Sequence, residues 1–299
     1  MNEKKKCPNC GLLIDQDMEK CPYCGYMISD LEKNKVSNQN SVEEKPIEPV
    51  EEPKMAKVPY RTFLKFDDRH DVSLKKELGL FLLVFVGMQI IALAITLILG
   101  IYNPYLLSTR YGNGILNFSI YFIIFGFALF IINDDFRLLF TRFKKIRTYL
   151  YGLSYGFLMI LVSGLYSLIV SVLFPEYTQN NNEVTIESII LIYPILSLIV
   201  FGFIGPFCEE MAYRVGLFSL IRRKNHLLAY VITLTVFGLI HFDFTSGNIT
   251  IELLNLPSYM LSGLILCYVY DKEGVETSII THAFNNIFAI IMTIIGSYL

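Results

Sequence analysis

The sequence predicts an all-α polytopic membrane helical bundle of about seven to eight transmembrane segments, preceded by a small cysteine-bearing module. Three observations predict it. Hydrophobic residues make up 54% of the 299-residue chain and charged residues 17%, too apolar a balance for a soluble domain of this length. The apolar residues gather into seven stretches joined by polar loops. Four of the six cysteines stand in two Cys-x-x-Cys pairs near the N-terminus, apart from the apolar stretches.

The cysteine module comes first. Cys7-Pro-Asn-Cys10 and Cys21-Pro-Tyr-Cys24 each close on a glycine, Gly11 and Gly25, which lets backbone amides turn toward the thiolates. Four thiolates at this spacing suit tetrahedral Zn²⁺, so residues 1–28 read as a zinc ribbon with structural zinc on Cys7, Cys10, Cys21 and Cys24. A segment this small has too little core to fold without its metal. The first thirty residues lack an apolar run ending at a small-residue cleavage site, so no cleavable signal peptide is expected and the N-terminus is placed in the cytosol.

Residues 29–57 turn to Asn, Ser, Glu and Pro and read as a disordered acidic linker. Residues 58–77 carry Arg61, Lys65, Arg69, Lys75 and Lys76, a basic juxtamembrane collar suited to anionic lipid. Apolar segments follow at 78–101, 115–132, 150–174, 188–221, 227–242, 257–270 and 276–296. The first three define N-terminal transmembrane helices over 78–187, and the rest a C-terminal core over 188–299. Segment 188–221 is overlong and interrupted by Pro194 and Gly205-Pro206, leaving room for an extra re-entrant piece. The loops 133–149 and 222–224 are rich in Arg and Lys, whereas 175–187 and 242–256 contain none. The positive-inside rule then gives a multi-pass cell-membrane protein with its N-terminus cytoplasmic.

Ionisable groups inside spans are costly and therefore functional candidates. They form three clusters: Cys208-Glu209-Glu210 with Tyr213-Arg214, Phe237 with His241 and Asp243, and His282 with Asn285-Asn286. Glu209 and His241 lie equally far in sequence on either side of Asn225. If antiparallel helices meet there, the two side chains sit at matched heights. His282 and Asn286 are i and i+4 and share a helix face, as do Phe237 and His241. Glu210 and Arg214 have the same spacing, with the acid N-terminal, and read as a structural ion pair. Glu209, about 100° around the helix, is left free. A free carboxylate opposite a histidine can deprotonate water, and donors on His282 and Asn286 can stabilise an oxyanion. On the residues alone, a carboxylate with two histidines is equally a zinc shell. Cys208 reads as an inert packing residue. Asp243, His70 and His226 read as solvated.

The ordered pattern Glu-Glu-x-x-x-Arg, Phe-x-x-x-His and His-x-x-x-Asn resembles the CAAX-processing and bacteriocin-processing family of intramembrane glutamic endopeptidases, also described as type II CAAX prenyl endopeptidase-like, over about residues 190–296. The resemblance implies a metal-free site. Glu209 and His241 would activate water, and His282 and Asn286 would support the tetrahedral intermediate. It implies an intramembrane peptidase, a CAAX-protease-like hydrolase, acting on a membrane-associated peptide or protein.

Two other function classes share these residues. A non-catalytic bacteriocin-immunity or scaffold protein would bind a membrane peptide with the same bundle and would use the zinc ribbon to dock a protein partner. A transporter would use the buried acid and histidines as a proton relay, but the chain lacks visible repeat symmetry. Net charge is −2, and no phosphate loop or dinucleotide fingerprint occurs, so neither nucleic acid nor a nucleotide cofactor is expected.

Overall fold

The computed structural model describes residues 4–6, 13–15 and 72–298 and divides the chain into two units, Met1–Phe66 and Asp67–Leu299. In the first unit, strands β1 (Lys4–Lys6) and β2 (Leu13–Asp15) pair antiparallel, with Lys4 opposite Asp15 and Lys6 opposite Leu13. The four cysteines expected to bind zinc, the linker at 29–57 and most of the basic collar lie outside the described residues.

The second unit is helical throughout. Its long helices are α1 (Leu74–Tyr102), α2 (Arg110–Ile132), α3 (Ile146–Leu173), α5 (Pro194–Arg222), α7 (Ile249–Glu273) and α8 (Val275–Gly296), the six described helices long and apolar enough to cross a membrane. Shorter helices include α4 (Asn181–Ile192) and α6 (His226–Leu239). The fifth expected crossing, 227–242, is therefore a 14-residue helix. At about 1.5 Å per residue it is roughly 21 Å long, short of the ~30 Å hydrocarbon core. The overlong segment 188–221 breaks at Tyr193, and Pro194 opens α5 at a position where its missing N–H costs nothing. Helix α1 begins at Leu74, so the collar's last residues are already helical.

Helix α5 is the hub. Within its most apolar window 61% of residues are buried, against 6–28% in the other five spans. It is not a uniform α-helix. Val200–Ile204 and Glu210–Phe218 are wound as π-helix, and Pro206 lies just beyond the first of these. A proline ring collides with the carbonyl four residues back, and one wider turn absorbs that conflict without ending the helix.

Small residues bring α3 and α8 together. A Cβ on Gly152 would lie 2.5 Å from the Ile280 side chain, and one on Gly156 would lie 2.6 Å from the Phe284 ring. Glycine is what allows this approach, the usual device where lipid supplies no hydrophobic drive between helices. At the α7–α8 joint a single residue, Gly274, reverses the chain at φ 93°, a conformation that glycine alone takes easily. Arg142 holds the joint: its guanidinium donates to the Glu273 carbonyl, and its backbone N–H donates to Glu276 Oε1 at 2.7 Å. At the other tight turn, Arg223 grips the fully buried Glu77 of α1 through two bonds of 2.7 Å. Large apolar side chains cover the outer surfaces, among them Ile90, Leu93, Leu97 and Ile101 of α1.

Candidate active site

The site forms around α5. Its second π-helical stretch begins at Glu210, so Glu209 and Glu210 straddle the change of winding and point to different neighbours. Glu210 behaves as its spacing predicts. It is fully buried, and its Oε1 lies 3.2 Å from Arg214, which is also fully buried. The same oxygen receives His282 Nδ1 at 2.8 Å, and Oε2 accepts from the Ser278 hydroxyl. Arg214 stacks its guanidinium 4.5 Å from the centre of the Phe237 ring and points NH2 at the Gly263 carbonyl, 3.5 Å away. These contacts tie α5 to α6, α7 and α8.

That brace sets the chemistry of His282. Nδ1 faces a carboxylate oxygen that can only accept, so Nδ1 carries a proton and Nε2 is turned the other way. Nε2 lies 3.8 Å from Glu209 Oε2. Glu209 is 8% exposed and is not free, as the sequence reading had it, because its Oε1 accepts a 3.0 Å hydrogen bond from the Tyr121 hydroxyl of α2. Asn286, one turn along α8 from His282, donates to the Phe201 carbonyl at 3.0 Å and receives Asn285 on its own oxygen.

His241 does not lie within α6. It sits two residues past the last helical position, in the turn that opens the 240–248 loop. Its ring nevertheless reaches Phe237, with centroids 5.2 Å apart, and stacks on Tyr259 of α7 at 4.4 Å. The loop is clamped. Asn180 donates its side-chain amide to the His241 carbonyl at 3.2 Å. The buried Glu252 carboxylate bridges two backbone amides, those of Asn181 and Asp243, at 3.1 Å each. Asp243 accepts from Asn181 and Thr245, and the Asn181 amide leads in holding its carboxyl below the ordinary aspartate range.

A cavity of about 1180 Å³ opens among these helices, and Glu209, His241, His282 and Asn286 all line it. Four residues from three separate motifs thus converge on one space. Cys208 is buried among Tyr213, Leu266 and other side chains of the core, and it does not line that cavity. His226 is not simply solvated, because its Nε2 lies 3.2 Å from Asp271. His70 lies outside the described residues. Among the described residues, no three His, Cys, Asp or Glu side chains converge as a metal shell would need.

Sequence reasoning missed Tyr121, Ser278, Tyr259 and Glu252. The last carried a signal, an acid at one end of an apolar helix, but it fell in a stretch read as loop. A tyrosine or serine in an apolar helix carries no such mark.

Residues 191–288 match the model of the type II CAAX prenyl endopeptidase Rce1-like family, and residues 3–28 match a zinc-ribbon domain. Residues 191–288 form an Rce1-like domain. The match takes in all four cavity-lining motif residues and leaves out α1, α2 and α3. A protein of Mycoplasma capricolum subsp. capricolum, described only as an uncharacterized protein, is 26% identical over 144 residues. That stretch covers 45% of this chain and 40% of the Mycoplasma protein, so the chain spans less than half of that relative's length. No solved structure matches the chain. An Rce1-like domain in a chain with six candidate spans supports a multi-pass membrane protease.

Proposed function

We propose that the chain is an intramembrane glutamic endopeptidase that hydrolyses a peptide bond of a membrane-associated protein or peptide. The observation that carries this reading is the convergence of Glu209, His241, His282 and Asn286 on one cavity of the helical bundle. Glu209 takes a proton from water, with His241 orienting that water, and the hydroxide oxygen bonds to the scissile carbonyl carbon. The resulting oxyanion accepts hydrogen bonds from Asn286 and from His282 Nε2. His282 Nδ1 is engaged by Glu210, so Nε2 is the ring nitrogen turned toward the oxyanion, and it donates when it carries a proton. The C–N bond then breaks, and Glu209 returns its proton to the leaving amine. Each proton and electron pair is accounted for without a metal.

In the same reading the N-terminus lies in the cytoplasm. Cys7, Cys10, Cys21 and Cys24 hold a structural zinc, and the ribbon docks a protein partner and raises its local concentration at the membrane.

The test compares wild type with Glu209→Gln at equal membrane levels, reading small membrane-associated peptides by mass spectrometry. A product should appear with wild type and fall by at least about 10²-fold in the variant, the scale of a lost general base. Identical peptide profiles would leave a binding protein built on a peptidase fold.

A further inference from the structure

Glu209 is the residue on which the proposed reaction turns, and its carboxylate is held from outside the Rce1-like domain. Tyr121 lies on α2, well before residue 191 where the family match begins. Its hydroxyl is 3.0 Å from Glu209 Oε1. The ring itself is fixed. It meets the Phe201 ring edge-on at 6.0 Å and 77°, and it lies over Gly205, where a Cβ would come within 3.4 Å of it. The terminal torsion of a glutamate is broad and roughly two-fold, so an unheld carboxylate presents either oxygen to its surroundings. Here one oxygen is committed to the phenol, and Oε2 is the oxygen turned toward His282.

Resting on the peptidase reading above, the geometry points to Tyr121 as a positioning residue for Glu209: it anchors Oε1 so that Oε2 is the oxygen presented to water. Tyr121 touches the carboxylate and has no bond to make or break in the reaction. An N-terminal helix therefore completes the site supplied by the C-terminal domain. A hydrogen bond to a charged group supports an effect of about 10- to 100-fold. Its loss should lower the rate without abolishing it, unlike the loss of Glu209.

The full chain in phosphatidylcholine and phosphatidylglycerol nanodiscs, as wild type, Tyr121→Phe and Glu209→Gln, allows a test that needs no substrate. Infrared difference spectra across a pH step identify the Glu209 carboxyl band as the one lost in Glu209→Gln. The phenol C–O band of Tyr121 is likewise the one lost in Tyr121→Phe. In the expected result each variant displaces its partner's band and leaves the other carboxyl bands in place, as a general loosening of the fold would not. In cells, the product that Glu209→Gln fails to make should fall about 10- to 100-fold in Tyr121→Phe at equal protein level. A Glu209 band unchanged in Tyr121→Phe overturns the inference, and so does displaced bands with wild-type product. If wild type makes no product that Glu209→Gln lacks, the peptidase reading fails, and the positioning role goes with it. That outcome is distinct, because the band shifts still register the contact.

Discussion

Glu252→Ala is the most informative perturbation of the loop that carries His241. The carboxylate is 1% exposed and receives the backbone amides of Asn181 and Asp243 at 3.1 Å each, joining the start of α4 to the residues just after His241. A hydrogen bond to a charged group contributes about 1.5–3 kcal/mol. Water can reach this end of the bundle once the loop lifts, so the lower figure applies, and two bonds give about 3 kcal/mol for local opening. At about 1.4 kcal/mol per decade, the opening equilibrium rises about 100-fold. Hydrogen exchange with site-resolved fragmentation, on the full chain in nanodiscs, reads this at the Asn181 and Asp243 amides. Both should exchange about 100-fold faster, while α5 and α8 keep wild-type protection. Exchange altered less than threefold at those amides, or accelerated evenly over the bundle, would refute the clamp.

Two further outcomes follow from the brace and the cysteine module. Arg214→Met leaves the buried Glu210 carboxylate without its cation and should cost about 3–5 kcal/mol, seen as a lower Tm in detergent. Adding Glu210→Gln removes the stranded charge and should restore part of that loss. Chelation with a high-affinity zinc chelator, or Cys7→Ser, should release one zinc per chain and unfold the ribbon while the membrane unit keeps its Tm, read by metal analysis and circular dichroism.

The parts of the site that follow one helix were legible in the sequence. The four-residue steps from Glu210 to Arg214 and from His282 to Asn286 specify a shared face whatever the tertiary structure, and the expected pair forms at 3.2 Å. Contacts between distant elements were not legible. Tyr121 and Glu209 are 88 residues apart, and nothing distinguishes this tyrosine from the other 18. Helix α7 was expected from 257 yet begins at Ile249, because Glu252 and Asn255 look like loop residues until their partners are known. Asn255 is satisfied by Tyr177, the Thr178 carbonyl and its own helix, and Pro257 is carried inside the helix. The span count blurred for a related reason. Hydropathy registers the apolar residues of α6 but not where the helix stops.

The one-residue joint at Gly274 makes the α7–α8 hairpin a gauge with no slack. One residue added there would turn all of α8 by about 100° and slide it by about 1.5 Å. His282 would swing away from Glu210, and the faces of α8 seated on Gly152 and Gly156 would go out of register. The longer connection at 103–109 lines no part of the cavity and could absorb such an insertion. Length variation among chains built on this plan should therefore collect there, with the α7–α8 turn held at a fixed number of residues.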